Sequence, residues 1–138
     1  DQRLSRGLGD VYKRQFGVWG LAFKPGTNDM REAPAISVIK ELVKRGAKIK
    51  AYDPKATLEA KDHYLKGTQH IIYVKSKYDV LEDSDALILL TEWKEFRSPD
   101  FGKIKNQLKT SVIFDGRNQY KTFNLEDKGF EYYQIGKK

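Results

Sequence analysis

Cysteine is missing altogether from the 138-residue sequence. Its absence excludes disulfides, thiolate metal sites and a cysteine nucleophile, and is neutral about compartment. Long apolar runs are missing as well. The longest, Ala86 to Leu90, is far too short to cross a bilayer. The opening residues hold no apolar segment of the kind a secretory signal carries, so a cytoplasmic protein with no membrane partner is expected. Histidine is scarce: His63 sits in a polar helical stretch and His70 just before an apolar run. Neither has a serine, a cysteine or the other histidine at useful spacing, so both read as surface residues and no catalytic or metal-binding residue is expected. Internal repeats and low-complexity tracts are also lacking.

What is present suits one folded domain. Hydrophobic residues make up 39% and aromatics 12%, which favours a packed core over disorder. The net charge of +7 comes from lysines spread along the chain, without a block of like charge. Such a diffuse excess attracts polyanions weakly at low salt, and fits a small phosphorylated ligand better than specific nucleic-acid recognition. Residues 1–15, "DQRLSRGLGDVYKRQ", lack periodicity and read as a flexible or foreign leader, leaving 16–138 as the domain.

From Phe16 on, strand-like and helix-like patterns alternate. "FGVWGLAF" reads as a buried strand. Pro34 to Arg45 places Ile36, Ile39, Leu42 and Val43 on one helical face, with Pro34 in the first turn and Gly46 past the end. "KIKAYDP" is a second strand, and Thr57 is expected to cap a helix running to about Lys66. "HIIYV", "DALILLT", "SVIFDGR" and "FEYYQIG" supply four more strands. Short helices are expected at "SKYDVLEDS" and from Pro99 to Leu108, and the acids Glu82, Asp83 and Asp85 read as a solvated helix end. Alternation with short links predicts an α/β, three-layer Rossmann-like sandwich on a mostly parallel sheet of about six strands.

Ligands of open α/β sheets bind beyond the carboxyl ends of the strands. Three loops meet that condition: Lys24 to Ala33, Asp53-Pro54, and "DGRN" from Asp115 to Asn118. They bring Lys24, Arg31 and Arg117 to one edge, where guanidinium forks and a helix start at Pro34 suit a nucleotide diphosphate. The alternative is that Arg31 pairs with Asp29 or Glu32, and Arg117 with Asp115, as ordinary surface ion pairs. A dinucleotide cradle is not expected. Gly17 and Gly20 lie within the strand run, Lys24-Pro25-Gly26 fills the turn, and Asp53 alone is a weak sign of ribose binding.

Four motifs in order, "GLAFKPGTNDMREAP", "AYDP", "TEWKEFR" and "DGRN", closely resemble the C-terminal domain of the UDP-glucose/GDP-mannose dehydrogenases. The resemblance runs from Phe16 to about Lys138. It implies a parent enzyme that oxidises the C6 alcohol of a nucleotide sugar to a carboxylate with NAD, and that works as a homodimer. It further implies that Phe23 and Lys24 contact the substrate, that Arg117 holds the UDP portion, and that Arg31 reaches NAD across a domain interface. In that family the nucleophilic cysteine and the glycine-rich NAD loop belong to N-terminal and central domains, which have no counterpart here. The resemblance therefore implies a substrate-binding domain without turnover of its own. Its wording favours UDP-glucose over UDP-N-acetylmannosamine or GDP-mannose. An interaction module or a basic nucleic-acid-binding domain are the competing readings of the residues.

Overall fold

The alternating pattern closes into a single sheet. The computed structural model describes residues 11–134. Six strands, β1 (Gln15–Trp19), β2 (Lys48–Tyr52), β3 (Ile71–Tyr73), β4 (Ala86–Leu89), β5 (Val112–Asp115) and β6 (Glu131–Gln134), lie in the order β3-β2-β1-β4-β5-β6. Every pairing is parallel. All six carboxyl ends therefore face one edge, and the order reverses between β1 and β4, the switch point of a doubly wound fold.

Side-chain alternation along each strand feeds two cores. On one face Phe16, Val18, Ile49, Ile88 and Phe114 pack with Ala35, Ile39 and Leu42 of helix α1 (Pro34–Lys44). On the other face Trp19, Leu87, Leu89 and Ile113 pack with Leu81, Phe96, Tyr120 and Ile104, the last from helix α3 (Phe101–Gln107). Trp19 stacks on Phe96 at 4.8 Å between centroids and donates its indole N–H to the Lys77 carbonyl at 2.8 Å. Gly17 is needed on that second face, because a Cβ there would lie 2.7 Å from the Val80 carbonyl oxygen. Helix α1 ends as its sequence predicts: Gly46 at φ 92° donates to Val43 O, and Ala47 donates to Leu42 O, a Schellman closure.

Four local expectations change. Residues 11–15, read as part of a leader, belong to the fold: Val11 is buried in the α1-side core and Gln15 opens β1. The remainder of that expected leader lies outside the described residues. Thr57 is not a cap; its hydroxyl donates to Asp53 O at 3.1 Å, and the short helix α2 (Thr57–Glu59) runs into a π-helical turn, Ala60–Tyr64. "SKYDVLEDS" forms a 3-10 helix at Lys77–Leu81, not an α-helix. Asp85 is not solvated: it is buried, accepts the Gln15 N–H at 2.9 Å, and pairs with Arg14 at 3.4 Å. A strand entering the sheet leaves its first N–H unpaired, and this carboxylate satisfies it. No helix among the described residues is long and apolar enough to cross a membrane.

Candidate functional site

The carboxyl edge is held together by two buried aspartates. Asp53, at the end of β2, accepts five hydrogen bonds. Its Oδ1 takes the Lys55 and Ala56 N–H groups, both at 2.8 Å. Its Oδ2 takes Leu21 N–H at 2.7 Å, Ala22 N–H at 3.0 Å and the Trp93 indole N–H at 3.0 Å. The loops after β1, β2 and β4 are thus tied to one carboxylate. Fully engaged and only 4% exposed, Asp53 has no capacity left for a ribose. Thr91 adds a second tie between β4 and β1, donating to Ala22 O at 2.6 Å. Gly20 makes that approach possible. At φ 102°, a side chain there would be strained and its Cβ would lie 2.5 Å from Thr91.

Asp115 plays the same part after β5. Its Oδ1 accepts the Arg117 N–H at 2.9 Å, and its Oδ2 accepts Tyr120 N–H at 2.8 Å and Tyr132 O–H at 2.7 Å. Burial, and then the hydrogen bond to this carboxylate, push the Tyr132 hydroxyl well above the ordinary tyrosine range, so it stays a donor at physiological pH.

On this frame stand the four residues singled out from the sequence. Phe23 is 45% exposed, a large apolar side chain left open on a loop. The loop is closed by Phe23 N–H to Asp29 O at 2.7 Å, and Met30, fully buried, pins it to the core. Phe23 and Arg31 line one open depression of about 250 Å³ with Asp29 and Glu32. Lys24 is exposed beside it, and its charge acts on Asp29. Arg31 pairs with Asp29 through Nε, at 3.1 and 3.2 Å to the two carboxylate oxygens, and through Nη2 at 2.9 Å. These bonds, with the Arg31 backbone N–H, hold the Asp29 carboxyl below its usual range. The ion pair given above as an alternative for Arg31 is therefore formed, with Asp29 as partner. For Arg117 the alternative is corrected: its partner is Glu92, not Asp115, with Nε to Oε1 at 3.1 Å and Nη2 to Oε2 at 3.0 Å. Asp115 is occupied by N–H and O–H donors.

Glu92 and Trp93 lie in "TEWKEFR", where no local pattern marks a role for either. The signal available for them was "DALILLT", since a parallel strand ending there delivers its loop to the same edge. At that edge α1 starts with Pro34, with no side-chain cap and no acid in its first turn. An N-terminus of this kind favours a nearby anion. Chemically, the edge offers an exposed aromatic, a lysine and two oriented guanidinium groups on a rigid base. His63 and His70 are exposed, and no cluster of metal-ligating side chains exists among the described residues.

The sequence pattern of the UDP-glucose/GDP-mannose dehydrogenase family, UDP binding domain, matches residues 17–122. The chain is 39% identical over 137 residues to a UDP-glucose 6-dehydrogenase of Pseudomonas aeruginosa, covering 94% of this chain and 30% of that protein. With the UDP-glucose 6-dehydrogenase TuaD of Bacillus subtilis it shares 42% identity over 130 residues, 94% of this chain and 28% of the other. The solved structure of a UDP-glucose dehydrogenase from Pyrobaculum islandicum superposes with a TM-score of 0.76 at 29% identity, over 96% of this chain and 27% of that one. The chain thus spans less than a third of the length of these relatives. With the family pattern matched from Gly17 to Thr122 on a sheet of the same architecture, the chain belongs to the UDP-glucose/GDP-mannose dehydrogenase family.

Proposed function

We infer that this chain is the nucleotide-sugar-binding part of an NAD-dependent UDP-glucose 6-dehydrogenase, which oxidises UDP-glucose to UDP-glucuronate. The observation that carries the reading is that Phe23, Lys24 and Arg117 all stand on loops leaving the carboxyl edge of the sheet, braced by Asp53 and Asp115. In this reading Lys24 meets the diphosphate as a point charge, Arg117 meets it with a guanidinium edge, and Phe23 supplies apolar contact to the substrate. The names of the bacterial relatives support UDP-glucose as the sugar nucleotide.

The residues of this chain do not fit a dinucleotide cradle. The turn after β1 is Lys24-Pro25-Gly26, Gly20 is packed against Thr91, and Asp53 is saturated. NAD would therefore be held mainly by an N-terminal domain outside this sequence, with Arg31 as the contact from this side. That domain, a central dimerising region and a second subunit are the partners, and the cytoplasm the compartment. With no cysteine, the chain supplies no thiol nucleophile for the oxidation and is inactive alone in this reading. Titration with UDP and with UDP-glucose into the millimolar range, followed by amide NMR, tests the reading. Shifts concentrated in residues 23–31 and 115–118 are expected; a titration that leaves both loops unmoved overturns it.

A further inference from the structure

An arginine presents two edges able to form paired hydrogen bonds: the side edge of Nε and Nη2, and the end edge of Nη1 and Nη2. In Arg117 the side edge is taken by Glu92, through Nε at 3.1 Å and Nη2 at 3.0 Å. The end edge makes no hydrogen bond to any described residue. Glu92 follows β4 and Arg117 follows β5, so the pair bridges two neighbouring loops. Arg117 is fixed at its own backbone and Glu92 through its neighbour. Thr91, next to Glu92, is buried and bonded to Ala22 O, and the Arg117 N–H is bonded to the buried Asp115. The side chains are only 34% and 27% exposed, so the pair is partly shielded from solvent.

From this geometry we propose that Glu92 is a positioning residue for the diphosphate: it locks the side edge of Arg117 so that the end edge is already aimed at the ligand. The proposal rests on the reading that Arg117 holds the diphosphate. A free arginine carries large rotamer freedom, which binding would have to remove. With the side edge clamped, that ordering precedes binding, and the guanidinium can hold a carboxylate on one edge and a phosphate on the other. Glu92 also has an opposing effect, since its charge repels the ligand. That repulsion acts through water-exposed space and fades with salt, whereas the ordering does not.

Four variants separate these effects, with UDP as the probe and titrations reaching tens of millimolar. Glu92→Ala is expected to weaken UDP about tenfold, the loss attached to ordering one long side chain on binding. Uridine, which lacks phosphate, binds this variant unchanged. The loss is larger at high salt than at low salt, because only the repulsion is screened. Arg117→Ala weakens UDP at least as much, and adding Glu92→Ala to it costs nothing more. Without ligand, side-chain nitrogen NMR shows the Arg117 Nε–H as a protected signal in the natural chain and as a fast-exchanging one in Glu92→Ala. Glu92→Gln, which keeps one acceptor and the volume, falls between and guards against a folding defect.

Tighter UDP binding by Glu92→Ala, or unchanged binding with a mobile Arg117 Nε–H, overturns the positioning role while leaving Arg117 as the ligand residue. UDP binding that is absent, or indifferent to Arg117→Ala, overturns the diphosphate reading itself and the positioning role with it.

Discussion

Arg31 and Arg117 are each gripped by a carboxylate along the Nε–Nη2 edge, Arg31 by Asp29 two residues back and Arg117 by Glu92 on another loop. The local pair has a readable consequence. Hydrogen bonds from Arg31 first, with a smaller pull from Lys24, lower the Asp29 carboxyl from its ordinary value of 3.8. A lowered folded value means that the clamp contributes fully above the ordinary aspartate range and is lost as pH falls through the depressed value. Carboxyl-carbon NMR should find the Asp29 midpoint below 3.8 in the natural chain. In Arg31→Ala it should rise only part of the way, because the backbone N–H of residue 31 still donates to Asp29 and Lys24 still adds a small pull; a midpoint insensitive to Arg31→Ala contradicts the side-chain clamp. The local pair was legible in "NDMRE", because partners two residues apart share one turn. Glu92 with Arg117 was not, since 25 residues separate them and only the placing of β4 beside β5 makes them neighbours.

Among elements, the link that matters most is Asp53, which joins the loops after β1, β2 and β4. The sequence places it at the end of a strand, correctly, and offers it only as a weak sign of ribose binding. Its five donors come from Leu21, Ala22, Lys55, Ala56 and Trp93, spread over segments that meet only in the folded sheet. An asparagine cannot replace it, because its amide NH₂ would confront N–H donors whichever way it is turned. Asp53→Asn should lower the free energy of unfolding by about 3 kcal/mol, several charge-assisted bonds being replaced by donor–donor conflict. Urea denaturation with an unchanged m-value measures this, and a loss below about 1 kcal/mol would show the carboxylate to be dispensable. The elements themselves were more legible than their links. The six strands and the face of α1 follow from apolar periodicity, which local composition carries. The π-helical turn at Ala60–Tyr64, where only a weak apolar face was available, did not follow from it.

For the whole molecule, parallel strand order explains why residues as far apart as Phe23 and Arg117 serve one edge. Parallel pairing sends every strand's carboxyl end the same way, and the reversal between β1 and β4 opens the crevice where ligands of such sheets lie. The two charged loops lie on either side of that crevice, and the Glu92 loop lies between them. The diphosphate-holding role of this edge is the central claim, and the structure of the chain solved with UDP bound tests it most directly. Phosphate oxygens are expected within hydrogen-bond reach of Lys24 Nζ and of the Nη1–Nη2 edge of Arg117, with the Glu92 pair intact. A diphosphate bound elsewhere, such as the groove lined by Lys50 of β2, Ile72 of β3, Tyr78 and Asp83, would contradict it.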